Sequence, residues 1–327
     1  MLSIFYTNDG HLVKLEACPE PGGIARENIV WVDLIHPTKE EEAQVEAFLG
    51  VDVPTRDEME EIEPSSRLYE EEGISYMTAV LVSRAHTDEP ENLSVSFLLA
   101  GNTLITVRYS EPAPFENYRR RIERQPPNPL RGDILYLGLM DTIIDRLADI
   151  LETVNRKIDA LSHEIFRAPA NAKQKPPYKE VLRQIGRQGD LTFKARDSLV
   201  SIQRMLTFFQ QTLESGNPER KELMSRVKTQ LKDVIGINDY ASFVAGNINF
   251  LLDATLGMIS MDQNATIKIF SVVAVVFLPP TLIASIYGMN FQHMPELSWH
   301  LGYPMALALM LLSAFLPYKL FKRNGWL

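Results

Sequence analysis

The alternation of hydrophobic and polar positions changes character twice along the chain. Over residues 1–110, short runs rich in Val, Ile, Leu, Phe and Tyr stand between polar segments: LSIFY, NIVWVDL, ISYMTAVLV, LSVSFLLA and TLITVRY. Runs of this length and composition predict β-strands. Gly101-Asn102 separates the last two and predicts a hairpin turn. Between the strands, PTKEEEAQVEAFLG predicts a helix with Thr38 as N-cap, acids in its first turn and Gly50 at its end. TRDEMEEIEPSSR predicts a second helix that reaches Pro64. From Arg131 the period becomes helical. Leu137, Met140, Ile144, Leu147, Leu151, Val154, Ile158 and Leu161 recur at three and four residues. APANAKQKPP breaks that helix, and another is predicted from Tyr178 to Leu213. SGNP breaks the chain again, with Pro218 suited to a helix start. No proline follows until Pro279. Residues 219–278 therefore predict one helix of about 60 residues, ~90 Å at 1.5 Å per residue, or two helices parted near Gly236 or Gly246.

The second change begins near residue 264. From Ile269 to Asn290 the only ionisable side chain is Tyr287, and from Leu301 to Tyr318 the only ones are Tyr303 and Tyr318. Each run is about 18 to 20 residues, close to the ~20 that cross ~30 Å of hydrocarbon as a helix. Two such runs joined by a short loop predict a membrane hairpin. A pair of buried helices in a soluble core is the competing reading, and the dense charge elsewhere in the chain argues against it. Lys268 precedes the first run, and Lys319, Lys322 and Arg323 follow the second, while the loop 291–302 has no Lys or Arg. Positive charge on one side of both spans predicts cytoplasmic termini. Tyr287, Trp299 and Tyr303 suit the outer interface, and Tyr318 and Trp326 the inner one.

The first span carries a second pattern. Asn264, Ile267, Ser271, Ala274, Leu278, Thr281, Ser285 and Gly288 alternate steps of three and four, a stripe on one helix face. Small and polar residues on one face predict contact with other helices or with water. Periodicity alone leaves helix packing and a water-filled path both open. One hairpin cannot enclose a path, so a pore requires several copies, most simply a cyclic homo-oligomer. The stripe holds no carboxylate. Amides, hydroxyls and carbonyls can bind a cation through its water shell, which suits Mg²⁺, an ion reluctant to dehydrate. Pro279-Pro280 must free backbone carbonyls and distort the helix.

Composition narrows the function classes. The 327 residues include 33 Lys+Arg and 42 Asp+Glu, for a net charge of -9. That balance argues against nucleic acid as a partner and fits the handling of cations. The single cysteine, Cys18, excludes an internal disulfide and fits a reducing compartment. MLSIFYTNDG has no basic and apolar leader pattern, so no signal peptide is expected. The acids Asp57, Glu58, Glu60, Glu61 and Glu63, then Glu70, Glu71 and Glu72, read as solvated faces or as a diffuse sink for divalent ions. His293 and His300 are the outer-loop candidates for a transition-metal site. No Walker loop, HExxH or G-x-S-x-G occurs, which argues against an enzyme and against an ATP-driven pump.

Tyr287-Gly288-Met289-Asn290, followed by FQHMPEL and then by W and GYP, resembles the signature of the CorA magnesium channels, the two-span family with a GMN motif. The likeness is closest from Asp262 to Leu327, including FSVVAVVFLPPT and FKRNGWL, and continues through WVDLIHPTKEE and EIEPSSRLYEEEG in the manner of the bacterial type. The resemblance implies an α+β membrane protein: a cytoplasmic α/β domain over 1–130, a cytoplasmic helical segment over 131–218 and a stalk helix over 219–266. It implies a pore-lining transmembrane helix over 267–290, a periplasmic loop over 291–301, a second transmembrane helix over 302–320 and a basic tail over 321–327. It further implies a funnel-shaped homopentamer in the bacterial inner membrane that passes Mg²⁺, with Co²⁺ and Ni²⁺, and is closed by Mg²⁺ bound between neighbouring cytoplasmic parts. Mg²⁺ is then substrate and regulatory ligand, with no other cofactor.

By the same resemblance Gly288, Met289 and Asn290 form the outer entrance, and the Asn290 side-chain oxygens hold a hydrated Mg²⁺. Asn264 and Thr281 match polar pore positions, and Ile267, Phe270 and Leu278 match the apolar gate. Ser271, Ala274 and Ser285 complete the lining, and Glu296 attracts cations at the mouth. Asp253 matches the stalk acid of the regulatory site, with its partner near Asp88 or Glu89. The alternatives are a Zn²⁺ or other divalent transporter on the same fold, which Met289 disfavours because zinc relatives often carry a GIN-type motif, and a membrane-anchored sensor or scaffold.

Overall fold

The computed structural model describes residues 1–8, 11–19, 23–61, 63–87, 89–167, 177–213, 218–290 and 294–323. It divides into two compact units, Met1–Leu252 and Asp253–Leu327.

The first unit is built on one seven-stranded sheet. Its strands are β1 (Leu2–Asn8), β2 (His11–Leu15), β3 (Ile29–Ile35), β4 (Leu68–Glu71), β5 (Ile74–Ser83), β6 (Glu91–Ala100) and β7 (Thr103–Arg108). Their order is β2-β1-β3-β7-β6-β5-β4. Only β3 and β7 pair in parallel, with Asp33 opposite Thr106 and Ile35 opposite Arg108. Both are buried at every position, which is why they read as nearly unbroken apolar runs. The five strands predicted from sequence are present, and the β6–β7 hairpin turns at Gly101, where φ is 58°.

Helix α1 (Lys39–Leu49) begins as expected. Glu41 N donates to Thr38 Oγ1 at 3.2 Å, and Thr38 N donates to the Glu41 carboxylate at 3.0 Å. These reciprocal bonds satisfy two of the unpaired donors of a helix start. Gly50 ends the helix at φ 70°, a backbone angle that glycine adopts without penalty. The next expectation needs correction. The single helix predicted up to Pro64 is instead α2 (Arg56–Glu60) and α3 (Pro64–Arg67). Pro64 has no N–H and pushes the residue before it out of the helical region, so the chain breaks there and starts afresh. Strands β2 and β4, and helix α4 (Ala113–Arg124), are further elements that the hydrophobic pattern did not predict.

The sheet is covered on both faces. On one, Val45 of α1 and Met59 of α2 join Leu2, Ile4, Val32 and Leu34 in a buried cluster. On the other lies an aromatic layer shared with α4, α5 (Gly132–Arg167) and α6 (Tyr178–Thr212). Phe5 stacks on Trp31 at 5.0 Å, and Trp31 meets Tyr118 at 6.1 Å. Phe97 meets Tyr136 at 5.9 Å, and Tyr136 meets Phe209 at 4.9 Å. All eight apolar positions that defined the period of α5 are buried.

A polar network crosses this layer. Arg108 donates from Nη2 to Asp33 Oδ2 at 2.8 Å and from Nε to Asp33 Oδ1 at 3.0 Å. Its Nη1 donates to Ser110 O at 2.8 Å, and its guanidinium lies 4.4 Å from the Phe115 ring centre. Thr106 Oγ1 donates to Asp33 Oδ1 at 2.7 Å and accepts from Trp31 Nε1 at 3.0 Å. The parallel pair β3–β7 and the start of α4 are thereby joined by a bidentate, charge-assisted contact.

Helix α7 (Pro218–Tyr287) runs unbroken, so of the two readings of 219–278 the single helix holds. Gly236 and Gly246 each cost only ~1 kcal/mol in a helix interior. Val234, Ala241, Val244, Ile248 and Leu251 are buried on one face and outweigh that cost. In the first unit α7 is tied to α5, where Arg226 Nη2 donates to Asp141 Oδ2 at 2.9 Å and Gln230 Nε2 to Leu137 O at 2.8 Å.

The second unit holds the end of α7, a 3₁₀ turn at Pro295–Ser298 and α8 (Gly302–Arg323). Gly302 is required where it stands, because a Cβ there would collide with the carbonyl oxygen of Glu296. That close approach seats the turn on the first residue of α8, where Gly302 N donates to Trp299 O at 2.9 Å.

Candidate functional site

Both α7 and α8 contain a stretch long and apolar enough to cross a bilayer. Within α7 the stripe positions Asn264, Ile267, Ser271, Ala274, Leu278, Thr281 and Ser285 are all exposed in the single chain. So are the apolar residues assigned to a gate: Ile267 is 60% exposed, Phe270 70% and Leu278 67%. From Gln263 to Asn290 the positions withdrawn from solvent are Val272, Val276, Pro279, Pro280, Ile283 and Tyr287. At 100° per residue this face lies roughly opposite the stripe. At the C-terminal end of α7, Ala284, Tyr287 and Gly288 line a cavity of about 390 Å³ together with Gly302, Tyr303 and Ala306 of α8. Within the hairpin, then, α8 meets α7 at this end, and the stripe from Asn264 to Ser285 is left open.

Two hydroxyls on the stripe have a fixed polarity. Thr281 Oγ1 donates to Phe277 O at 2.7 Å, and Ser285 Oγ donates to Thr281 O at 2.8 Å. Each hydroxyl hydrogen is committed to the helix, so only oxygen lone pairs are presented outward. Groups that only accept match the water shell of a cation, whose hydrogens point outward. Pro279 and Pro280, both inside the helix, supply no N–H to the carbonyls four residues before them.

The GMN segment sits where the helix ends. Gly288 N donates to Ala284 O at 2.9 Å, the last full helical bond, and Met289 N turns back to Ile286 O at 3.2 Å. Asn290 follows outside the helix, and all three residues are exposed. A Cβ on Gly288 would stand 3.1 Å from Ala284 O, tighter than ordinary contact. The C-terminal end of a helix carries unpaired carbonyls and about half a negative charge. The motif therefore occupies an end of α7 that attracts cations without any ionised side chain.

The remaining candidates are placed as follows. Glu296 is exposed in the 3₁₀ turn and lines the cavity between α7 and α8, and its carbonyl accepts from Trp299 N at 3.4 Å. His300 lines the same cavity, while His293 lies outside the described residues. Asp253 is exposed on α7. Glu89 is exposed in the loop before β6, where its backbone N donates to Thr87 Oγ1 at 3.3 Å, and Asp88 lies outside the described residues. Among the described residues no group of three or more His, Cys, Asp or Glu side chains is placed to hold a metal ion. The buried Asp33–Arg108 network was not foreseen, since its partners stand 75 residues apart and meet only through the β3–β7 pairing.

Comparison with known proteins decides the family. The family described as CorA-like Mg²⁺ transporter protein matches residues 26–323. The magnesium transport protein CorA of Yersinia pestis is 36% identical over 327 residues, covering 100% of both chains. The chain belongs to the CorA family. The magnesium transport protein CorA of Escherichia coli K12 is 35% identical over 329 residues, again over 100% of both chains. The solved CorA magnesium transporter of Methanocaldococcus jannaschii superposes with a TM-score of 0.79 at 19% identity, covering 100% of this chain and 99% of that one. The CorA fold thus extends over both units, the α/β sheet domain and the apolar hairpin.

Proposed function

We propose that the protein is a Mg²⁺ channel of the bacterial inner membrane, formed by a homopentamer in which the α7 stripes face a common axis. The observation that carries this reading is the open polar stripe of α7, on which Thr281 and Ser285 present only lone pairs, and which ends at Gly288-Met289-Asn290 on the carbonyl-rich end of the helix. Asn290 side-chain oxygens from the copies hold the hydrated ion at the entrance. Asn264, Ser271, Thr281 and Ser285 pass it on through its waters, with Ile267, Phe270 and Leu278 as the apolar constriction, Ala274 as a small spacer and Glu296 as a rim charge. Both termini lie in the cytoplasm. Two charges moving down an inside-negative potential gain ~4.6 kcal/mol per 100 mV, so no pump is needed. Co²⁺ and Ni²⁺, divalent ions that also travel hydrated, follow the same route.

Purified protein in liposomes should admit Mg²⁺, and Asn290→Ala should reduce the flux to background while leaving the assembled mass unchanged. Undiminished flux in that variant removes Asn290 from the entrance. Uptake of Zn²⁺ in preference to Mg²⁺ would favour the zinc reading. Absence of any flux from the intact protein would favour a sensor or scaffold.

Control comes from intracellular Mg²⁺. Exposed Asp253, with Glu89 or Asp88 of a neighbouring subunit, provides carboxylates that repel one another until a divalent ion bridges them, so the ion favours the closed assembly. Asp253→Ala should conduct at internal Mg²⁺ concentrations that shut the parent. Inhibition at the parent's concentration would exclude Asp253 as a sensor.

A further inference from the structure

The first unit contains a cavity of about 380 Å³ bounded by α4, the segment that follows it, α5 and α7. Its size lies within the range of small-molecule sites. Tyr118 of α4 stands against Gly138 of α5, both on the cavity wall, and any Cβ on Gly138 would collide with the Tyr118 hydroxyl. Tyr118 is only 3% exposed, and its hydroxyl lies beside Gly138 on the cavity wall. Burial pushes the phenol pKa up, with the charges of Arg226, Arg121 and Asp141 acting on it as lesser influences. The hydroxyl therefore stays protonated and able to donate.

The charged groups around it are also donors. Arg121 makes no hydrogen bond or ion pair among the described residues. Arg226 uses Nη2 on Asp141 Oδ2 at 2.9 Å, which leaves the rest of its fork free. The carboxylate of Asp141 is occupied on both oxygens, the second accepting from Gln230 Nε2 at 2.5 Å. Its charge is thus compensated inside the protein. Gln125 and Asn128 add amides to the rim, while Ile122, Pro126, Pro127 and Ile134 form apolar walls.

We propose that this cavity binds a phosphate group, carried by a small organic ester or present as the free ion. Donors from two helices, the Tyr118 hydroxyl and the Arg121 fork on α4 and the Arg226 fork on α7, suit an anion with several terminal oxygens better than a planar carboxylate. Arginine forks match phosphate geometry. The apolar walls give an ester more contact than the bare ion. The site stands apart from the ion path and does not depend on the transport reading.

The test is calorimetric titration of the full-length protein in detergent with AMP, inorganic phosphate and acetate. Saturable binding of AMP, of phosphate or of both is expected, with acetate not binding. AMP binding tighter than phosphate identifies an ester, and equal binding identifies the free ion. Tyr118→Phe and Arg121→Ala should each weaken the affinity roughly tenfold, the size of one hydrogen bond to a charged group. Tyr118→Phe should not lower the thermal unfolding midpoint, because it removes only the hydroxyl that faces the cavity, whereas Arg121→Ala also removes a charge that acts on Asp145. Absence of saturation by both phosphates, acetate binding as tight as theirs, or affinity that survives both substitutions overturns the assignment.

Discussion

In the first unit Asp33 and Arg108 are 1% and 3% exposed, and their charged atoms are bonded to each other and to Thr106 and Ser110. On the last turns of α7, Thr281 and Ser285 lie open, with their hydrogens spent on the helix and their lone pairs unused. The first arrangement is closed by its own chain. The second is complete only when something else approaches. The apolar side chains repeat the contrast. The sheet unit buries a continuous core on both faces, whereas between Asp253 and Arg323 only Val272 and Ala306 are buried among the described hydrophobic side chains. A sheet domain of this size meets its requirements alone. A hairpin of two apolar helices does not, and its polar stripe is the face least served by either of its own helices.

Substitutions should separate the two regions sharply. The largest effect on stability is expected from Asp33→Ala. It leaves the Arg108 charge buried without its partner, a change that costs about 3–5 kcal/mol. The thermal unfolding midpoint of the sheet unit should fall steeply, and a midpoint near that of the parent would show that the network is dispensable. Thr281→Val should do the reverse. It keeps the shape and removes an outward acceptor, whose hydrogen bond to the ion's water shell is worth about 1 kcal/mol, so Mg²⁺ flux should drop several-fold with unfolding unchanged. A loss of stability without a loss of flux would place Thr281 in packing instead.

The smallest effect lies at Asp145. Burial, and then the charges of Asp141, Asp149 and Asp233, hold its pKa above the usual aspartate value. With the folded pKa raised, ionisation costs stability as pH climbs through that value, and costs nothing once pH falls below the ordinary aspartate range, near ~3.9. Asp145→Asn should therefore raise the midpoint slightly at neutral pH, and the gain should fade on acidification. A gain that persists in acid would have another origin.

How much of the molecule is legible in its sequence follows the same division. The hairpin is legible because its signals are local: the absence of charge over each span, the basic flanks and a 3-4 period on one face. Helix α5 is legible for the same reason, its eight apolar positions all turning inward. Strand β2 is not, because HLVKL is short, carries His11 and Lys14, and lies on the edge of the sheet. Strand β4 is four residues with two acids at the opposite edge. Helix α4 hides its anchors Phe115, Tyr118 and Ile122 among six charged residues from Glu116 to Arg124. The Asp33–Arg108 bond and the cavity beside Tyr118 depend on segments far apart in sequence, and no window along the chain contains them.

The outward lone pairs of Thr281 and Ser285 have a consequence for acidity. A selectivity path made of ionised carboxylates changes its charge when protons arrive, and so its conductance follows pH. Hydroxyls, backbone carbonyls and the Asn290 amide do not titrate between mild acid and mild base. The proposed path from Asn290 inward can therefore distinguish the sign of an ion with no side-chain charge of its own, and should pass the same current on either side of neutrality.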